Sequence, residues 1–275
     1  MELVCCPLYS GSSGNAFYVE YGDTRILVDC GKSGKQTEEA LNYIGVKPDQ
    51  LSGILVTHEH RDHIGGIGVM SRKYHLPVYA TERTWEAIGD KVGSFARGMQ
   101  RIFSRDEDFY LGRLGVAPFA TSHDAAEPCG FRLIGGNTSV AVATDLGYMP
   151  KETIETLSGV DMVLLESNHD PAMVQCNEHY TRALKDRILG RRGHLSNQDC
   201  ADAILALADK GVRYFILGHL SHENNRPELA MQTSVCRLEL EGVEPGKDVF
   251  LDLAWRDRVG NRYRISADHA WQCVS

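Results

Sequence analysis

Between Thr57 and Gly66 the chain reads Thr-His-Glu-His-Arg-Asp-His-Ile-Gly-Gly. Three imidazoles and a carboxylate in one short run can supply borderline nitrogen and hard oxygen ligands to two adjacent divalent ions. The run follows Gly53-Ile54-Leu55-Val56, an apolar stretch that reads as a buried strand, and precedes a helix predicted through Val69, Met70 and Tyr74. In such a strand-to-helix loop, His58 and His60 can point to one side while Asp62 and His63, at the start of the helix, turn toward a second position. Gly65 and Gly66 let backbone pack closely behind them. The His-Glu-x-x-His helix of zinc proteases is excluded, because position 62 is Asp and the spacing from His58 to His63 is one residue too long. A His-rich polar loop that picks up metal adventitiously would need neither the strand nor the glycines.

The other candidates for such a site all fall where a predicted strand ends. Asp29 closes Arg25-Ile26-Leu27-Val28, and His123 follows Pro118-Phe119-Ala120-Thr121-Ser122. Asp145 follows Ser139-Val140-Ala141-Val142-Ala143-Thr144, and His219 follows Tyr214-Phe215-Ile216-Leu217-Gly218. Alone, an Asp or His after a strand is commonly a turn former. Four in that position, beside the histidine run, are expected to converge, since sites collect at strand ends along one sheet edge.

With 275 residues and 43% hydrophobic content, the chain can bury a large core as one domain or two closely packed halves. No linker, repeat or low-complexity stretch divides it, and residues 1–275 read as one catalytic domain without an added nucleic-acid-binding domain. Met1-Glu2-Leu3-Val4-Cys5-Cys6 lacks the basic start and apolar core of a signal peptide, and no apolar run approaches membrane-spanning length, so a cytoplasmic protein with no membrane partner is expected. Eight cysteines are scattered without a Cys-x-x-Cys pair, which argues for buried thiols over a zinc ribbon or a disulfide framework.

A net charge of −8 argues against coating nucleic acid by bulk electrostatics, but the positive charge is clumped. Arg97, Arg101 and Arg105 form one group, Lys185, Arg187, Arg191 and Arg192 a second, and Arg256, Arg258, Arg262 and Arg264 a third. Each group is either a local phosphate grip or a solvated face.

Periodicity predicts strands near 3–9, 16–21, 24–28, 78–80, 100–103, 113–119, 130–134, 138–143, 160–165 and 213–217, with further strands at the end of the chain. Helices are predicted near 35–44, 82–90, 151–157, 180–189, 197–209 and 226–241. Many strands with helices outside them imply an α/β protein of two packed sheets covered on both sides.

Asp29 in Val-Asp-Cys-Gly, the His-x-His-x-Asp-His run, His123 in Ser-His-Asp, Asp145 in Thr-Asp-Leu-Gly and His219 in Gly-His-Leu-Ser together resemble the metallo-β-lactamase fold superfamily over nearly the whole chain. The resemblance implies a four-layer αββα sandwich. It implies that His58, His60 and His123 hold one ion, that Asp62, His63 and His219 hold another, and that Asp145 bridges them. Asp29 is then the group behind the ligands that orients a ligating His by accepting its free N–H.

Tyr9-Ser10-Gly11-Ser12-Ser13-Gly14-Asn15, Glu166-Ser167-Asn168-His169-Asp170, Gly193-His194-Leu195-Ser196-Asn197 and His219-Leu220-Ser221-His222-Glu223-Asn224-Asn225 are similar to the YycJ/WalJ subgroup. That subgroup is regarded as a 5′ to 3′ DNA exonuclease related to the ribonuclease Z and J phosphodiesterases. One departure is Cys176-Asn177-Glu178-His179-Tyr180-Thr181, which stands where the subgroup carries a Gly-Pro-Tyr-Pro-like stretch. The interval from His123 to Asp145 is too short for the arm of transfer-RNA processing relatives. The interval from Asp145 to His219 is filled by predicted elements and leaves no room for the extra domain of ribonuclease J.

Two ions sharing a water lower its pKa toward neutrality and polarise a phosphoryl oxygen. Asp62 is the candidate to orient that water and accept its proton. His194 is a candidate general acid or phosphate contact, the other reading being a structural hydrogen bond. Gly-His-Leu-Ser occurs at 193 and at 218; His219 is preferred as the ligand because it ends a strand, with His222 as the fallback. Substrate contacts are expected from Ser12, Ser13, Asn15, Asn168, Ser196 and Asn224. The loop from Ser10 to Asn15 either presents backbone N–H groups to a phosphate or is a plain turn. His169 is expected to be structural, and His75, His179 and His269 to lie on the surface.

Zinc suits the imidazoles best, while carboxylate ligands also tolerate manganese or iron. The leading expectation is a dinuclear phosphodiesterase that degrades DNA. The alternatives are a hydrolase of a small substrate (a thioester, lactone, lactam or cyclic phosphodiester) and a non-catalytic or redox protein. The last recedes because di-iron relatives carry Glu where position 60 is His. No pattern in the chain sets an oligomeric state.

Overall fold

Apolar runs in the sequence divide their side chains between two directions, and the structure, a computed structural model that describes residues 1–274, shows where each direction leads. The first half carries β1 (Leu3–Tyr9), β2 (Ala16–Tyr21), β3 (Thr24–Val28), α1 (Gly34–Tyr43), β4 (Gly53–Leu55), α2 (Arg61–Ile64), α3 (Ile67–Tyr74), β5 (Val78–Ala80), α4 (Glu82–Ile88) and β6 (Gln100–Ile102). It continues with β7 (Phe109–Leu111), β8 (Leu114–Ala120), β9 (Cys129–Gly135), β10 (Thr138–Ala143), α5 (Lys151–Thr156) and β11 (Met162–Glu166). The remainder is α6 (Pro171–Cys176), α7 (Arg182–Ile188), α8 (Asn197–Ala208), β12 (Tyr214–Gly218), α9 (Pro227–Leu240), β13 (Phe250–Leu253), β14 (Arg262–Ile265) and β15 (Trp271–Val274).

The strands make two sheets, in the orders β15-β14-β1-β2-β3-β4-β5-β6 and β13-β12-β11-β10-β9-β8-β7. Side chains alternate across a strand, and here each side meets a different layer. Val140, Val142, Met162 and Leu164 enter one core with Leu3, Cys5, Phe17, Val19, Ile26 and Val28 of the facing sheet. Ala141, Ala143, Val163 and Leu165 instead pack under Leu157, Cys200, Ile204, Leu207 and Leu238 of the outer helices. On the other side, Tyr18, Leu27, Ile54 and Val78 meet Leu41, Ile64, Ile67, Met70 and Trp85. Strands buried on both faces must be apolar throughout, and the result is the four-layer αββα sandwich. Among the described residues no helix is long and apolar enough to cross a membrane.

The predicted elements are present, with ends moved by a residue or two. Three features escaped periodicity: β7, α6 and a short turn of 3-10 helix at Pro48–Gln50. The first two are too short to show a period; α6 is started by Asp170, whose carboxylate accepts from the Met173 N–H at 2.9 Å. The helix after the histidine run is also two helices. It breaks at Gly65–Gly66, where added Cβ atoms would lie 2.5 Å from the Gly31 carbonyl oxygen and 2.4 Å from that of Lys32.

β3 and β4 run parallel, as do β10, β11 and β12. β8 lies antiparallel to β9, which is antiparallel to β10, so β8 shares the direction of β10. The carboxyl ends of β3, β4, β8, β10, β11 and β12 therefore supply the residues that gather at one edge of the sandwich.

Candidate metal centre

Three of the strand ends are closed by residues in the left-handed backbone region: Asp29 at φ 62°, Asp145 at 60° and His219 at 55°. An L-residue other than Gly adopts this conformation at a cost of about 1–2 kcal/mol, so the surroundings must enforce it. The Asp29 N–H donates to the Leu55 carbonyl at 2.7 Å. The His219 N–H donates to Ser10 Oγ at 2.8 Å, while Asn168 Nδ2 donates to the His219 carbonyl at 2.7 Å. Strain of this kind at three strand ends, all aimed at one place, marks a functional site.

His58, His60 and His123 bring one set of ring nitrogens together, each within 4.8 Å of the others. Asp62, His63 and His219 form a second set with the same closeness. Asp145 lies between them: Oδ1 is 3.6 Å from His123 Nε2, and Oδ2 is 3.3 Å from His63 Nε2. Asp62 Oδ2 sits 3.6 Å from His63 Nε2 and 3.5 Å from His219 Nε2.

The far sides of the rings are held. His63 Nδ1 donates to Asp29 Oδ2 at 2.7 Å, and the same carboxylate accepts from the Thr57 backbone N–H and hydroxyl, each at 2.9 Å. His123 Nδ1 donates to the Gly193 carbonyl at 2.9 Å. His219 Nδ1 donates to Glu166 Oε1 at 2.7 Å. Donation from Nδ1 leaves the Nε2 lone pair of each ring facing the cluster, as ligating histidines are usually arranged.

A divalent cation suits this cluster. The buried atoms His58 Nε2, His219 Nε2 and Asp145 Oδ2 have no hydrogen-bond partner, and buried polar atoms seldom stay unpaired. Burial, followed by the neighbouring imidazoles, pushes His58 well below the ordinary histidine range, which keeps its lone pair open. Burial opposes protonation of His63, but Asp145, Asp29 and Asp62 outweigh it and lift that imidazole to about 9. At His219, Asp145, Asp62 and Glu166 likewise overcome burial and raise the pKa. The carboxylates thus create a potential that draws positive charge, and cations at these positions would displace protons.

Glu166 carries no role in the reading of the sequence, where it stands only within a subgroup segment. It is fully buried, and Oε1 accepts from both His194 Nδ1 at 2.8 Å and His219 Nδ1 at 2.7 Å. Oε2 accepts from the backbone N–H groups of Leu146 at 2.8 Å and Leu195 at 3.1 Å. Burial would raise its pKa, but the His194 and His219 imidazoles overcome that and hold it well below the carboxylate range. The signal available in the sequence is a charge that closes the apolar run Met162-Val163-Leu164-Leu165, as Asp29 and Asp145 close theirs.

His194 stands beside the cluster, its ring centroid 4.9 Å from that of His123 and 5.2 Å from that of His219, and it stays partly open to solvent. His222 is exposed and outside the cluster. Asn15 is buried, and its Nδ2 lies 3.1 Å from His63 Nε2 and 3.5 Å from Asp62 Oδ2. Ser12 and Ser13 are exposed. The structure does not bring Asn168, Ser196 or Asn224 to the surface. Asn168 braces His219, Ser196 Oγ caps α8 through the Asp199 N–H at 3.1 Å, and Asn224 Oδ1 accepts from Asn177 Nδ2 at 2.8 Å. His169 is buried and pushed down to about 4 by that burial. His75, His179 and His269 are exposed.

The three basic groups separate. Arg192 Nη2 donates to the His123 carbonyl at 3.4 Å, and Arg187 pairs with Asp124 next to that histidine. Arg262 and Arg264 face away into pairs with Glu20 and Glu2. Arg101 lies on the exposed strand β6.

A sandwich of this layering with a histidine and aspartate cluster at its edge defines the class of metallo-β-lactamase-fold proteins. The model for the β-lactamase superfamily domain matches residues 24–220. The exodeoxyribonuclease WalJ of Streptococcus pneumoniae (strain D39) is 39% identical over 243 residues, covering 88% of this chain and 90% of the relative. The exodeoxyribonuclease YycJ of Bacillus anthracis is 40% identical over 247 residues, covering 90% and 93%. Among solved structures, the metallo-β-lactamase-fold protein YhfI of Bacillus subtilis superposes with a TM-score of 0.70 at 16% identity, covering 94% of this chain and 99% of that one. The chain belongs to the β-lactamase superfamily and, within it, to the family of the WalJ and YycJ proteins.

Proposed function

We propose that this chain is a metal-dependent phosphodiesterase that removes nucleotides from DNA, working in the 5′ to 3′ direction as a cytoplasmic enzyme. The observation that carries the reading is the convergence of unpartnered, buried imidazole and carboxylate atoms in a chain 39–40% identical to two proteins named exodeoxyribonucleases. His58, His60 and His123 would hold one divalent ion and Asp62, His63 and His219 a second, with Asp145 shared. The imidazole-rich sets favour zinc, and the carboxylates also suit manganese or iron. We read residues 1–275 as one catalytic domain, because a single core draws on both sheets.

When bound, such ions supply Lewis-acid polarisation of a phosphoryl oxygen and lower the pKa of water toward neutrality. Asp62 orients the attacking water and accepts its proton, steadied by Asn15, whose Nδ2 also donates to the Asp62 carbonyl at 3.3 Å. A departing alkoxide needs a proton, and we assign its donation to His194 Nε2. Its Nδ1 is tied to the buried Glu166 carboxylate at 2.8 Å, which fixes the ring with Nε2 as its free nitrogen. Arg191 and Arg192, beside His123, would hold the backbone phosphates.

The test is digestion of end-labelled single- and double-stranded DNA and RNA by protein loaded separately with zinc and manganese, alongside Asp62→Ala. Metal-dependent release of 5′ label from DNA, lost in Asp62→Ala, is expected. Turnover of a small phosphodiester with no attack on any polymer would overturn the assignment of DNA as substrate.

A further inference from the structure

Next to the cluster lies a cavity of about 480 Å³, lined among others by Leu220, His222 and Arg226 and by Trp255, Arg256 and Arg258. We propose that it is a stacking subsite for one unpaired nucleobase of the DNA strand being cut, with Trp255 as the platform. The proposal rests on the DNA-phosphodiesterase reading above and specifies how that strand is held.

The cavity is mechanically part of the metal centre. Ser10 donates its N–H to the Trp255 carbonyl at 2.9 Å, while its Oγ accepts the His219 N–H at 2.8 Å. The Ala254 N–H is bonded in turn to the Leu217 carbonyl at 2.8 Å. His219, through Ser10, and Leu217, two residues before it, are thereby tied to the wall that carries the indole. A base seated there is held at a set reach from the scissile phosphate.

The chemistry of the wall favours a π-face over a bare anion. Arg258 Cζ lies 3.8 Å from the centroid of the partly exposed Trp255 ring, so a flat, cationic layer already covers one aromatic face. Asp257 pairs with Arg256 at 3.2 Å, and Glu228 lines the same cavity, which offsets much of the positive charge. A phosphate would meet that mixed field with little gain. A nucleobase stacks on the indole or guanidinium plane whatever its sequence, as a nuclease that digests along a strand requires.

The opposite flank of the centre repeats the pattern. Arg191 Cζ lies 4.1 Å from the centroid of the exposed Tyr148 ring. Tyr148 is tied to Ser122, the neighbour of His123, by its own N–H at 3.2 Å and by its carbonyl at 3.0 Å. The backbone of Arg191 comes so close that a Cβ on Gly147 would lie 2.3 Å from its carbonyl carbon. Two arginine–aromatic layers thus bracket the metal centre, one beside His219 and one beside His123. A strand passing between them presents its phosphate to the centre with a base splayed on either side.

The experiment compares wild type, Trp255→Ala and Trp255→Phe on oligonucleotides with a single abasic residue at each of the first three positions, with bis(4-nitrophenyl) phosphate as a substrate that has no base. Trp255→Ala is expected to raise KM for the intact oligonucleotide about tenfold, with kcat nearly unchanged and Trp255→Phe close to wild type. One abasic position should cost the wild type a similar factor and cost Trp255→Ala nothing, while the small diester is turned over equally by all three. Equal abasic penalties in wild type and Trp255→Ala, or an unchanged KM, would overturn the subsite alone. A wild type that hydrolyses the small diester but neither binds nor cuts any oligonucleotide would overturn the DNA reading, and the subsite with it.

Discussion

Replacing Glu166 by Gln changes one atom at the most enclosed carboxylate of the molecule. Oε2 accepts two backbone N–H groups and Oε1 accepts two imidazole N–H groups. A carboxamide has one acceptor end and one donor end, so one of these pairs must face an NH₂ group. Two buried donors left without acceptors cost about 1–3 kcal/mol each, which amounts to about 2–6 kcal/mol of folding stability with or without metal. A second loss appears only in the loaded protein. Without the carboxylate behind it, His219 as the proposed ligand would be weaker and less well aimed, and such changes typically lower metal affinity about 10- to 100-fold. At saturating metal that is a further loss of about 1.4–2.7 kcal/mol. Urea unfolding of wild type and Glu166→Gln, each in chelator and in excess zinc, separates the two, and a competition titration reads the affinity directly. The variant should lose more stability in zinc than in chelator. Equal losses in both, or a zinc affinity within twofold of wild type, would mean that Glu166 only props the backbone at Leu146 and Leu195, and the coupling to His219 would be wrong.

Gly31→Ala should disable the centre without replacing a candidate ligand, because its Cβ would lie 1.6 Å from the Asp62 carbonyl oxygen; hydrolysis at wild-type rates would show that the Asp62 loop moves aside freely. His169 is held near 4, against 6.5 for an ordinary imidazole. The unfolded chain takes up that proton first, so its contribution is intact above about pH 6.5 and falls away toward pH 4, by up to about 3 kcal/mol. His169→Asn should therefore lose less stability than wild type between pH 7.5 and pH 4.5 in urea melts, and parallel losses would refute the assignment. Reversing Arg191 and Arg192 together to Glu should weaken DNA binding and flatten its dependence on log salt by about 1.4, if each arginine meets one phosphate of a single strand; an unchanged slope would remove both from the binding surface.

The metal-binding run and the strand ends were legible because each marks a break in an apolar pattern. A polar residue that closes a buried strand is visible in one dimension, and Asp29, Asp145 and His219 all have that form. Glu166 has it too, but its meaning lies in His194 and His219, 28 and 53 residues away, and nothing local announces them. The expected substrate contacts show the converse. Asn168, Ser196 and Asn224 are polar and adjacent in sequence to candidate site residues, yet their side chains brace loops inside the fold. Polarity does not distinguish a group offered to a ligand from one spent on its neighbours, and only the count of satisfied hydrogen bonds does. The arginine–aromatic layers divide in the same way: Trp255 and Arg258 are near neighbours in the chain, while Tyr148 meets Arg191 only through the packing that Gly147 permits.

His219 and His222 stand in one short segment and are chemically equivalent as sequence, and what separates them is backbone. The left-handed turn at His219 ends β12 and swings the ring toward Asp62 and Glu166, at a cost met by the Ser10 and Asn168 hydrogen bonds. Asp29 and Asp145 turn in the same sense at the ends of β3 and β10, one in each sheet. The site is thus a property of the edge where two sheets face each other. The histidine run alone names a chemistry, but the last candidate ligand and the carboxylates behind the rings are selected by which strands end at that edge.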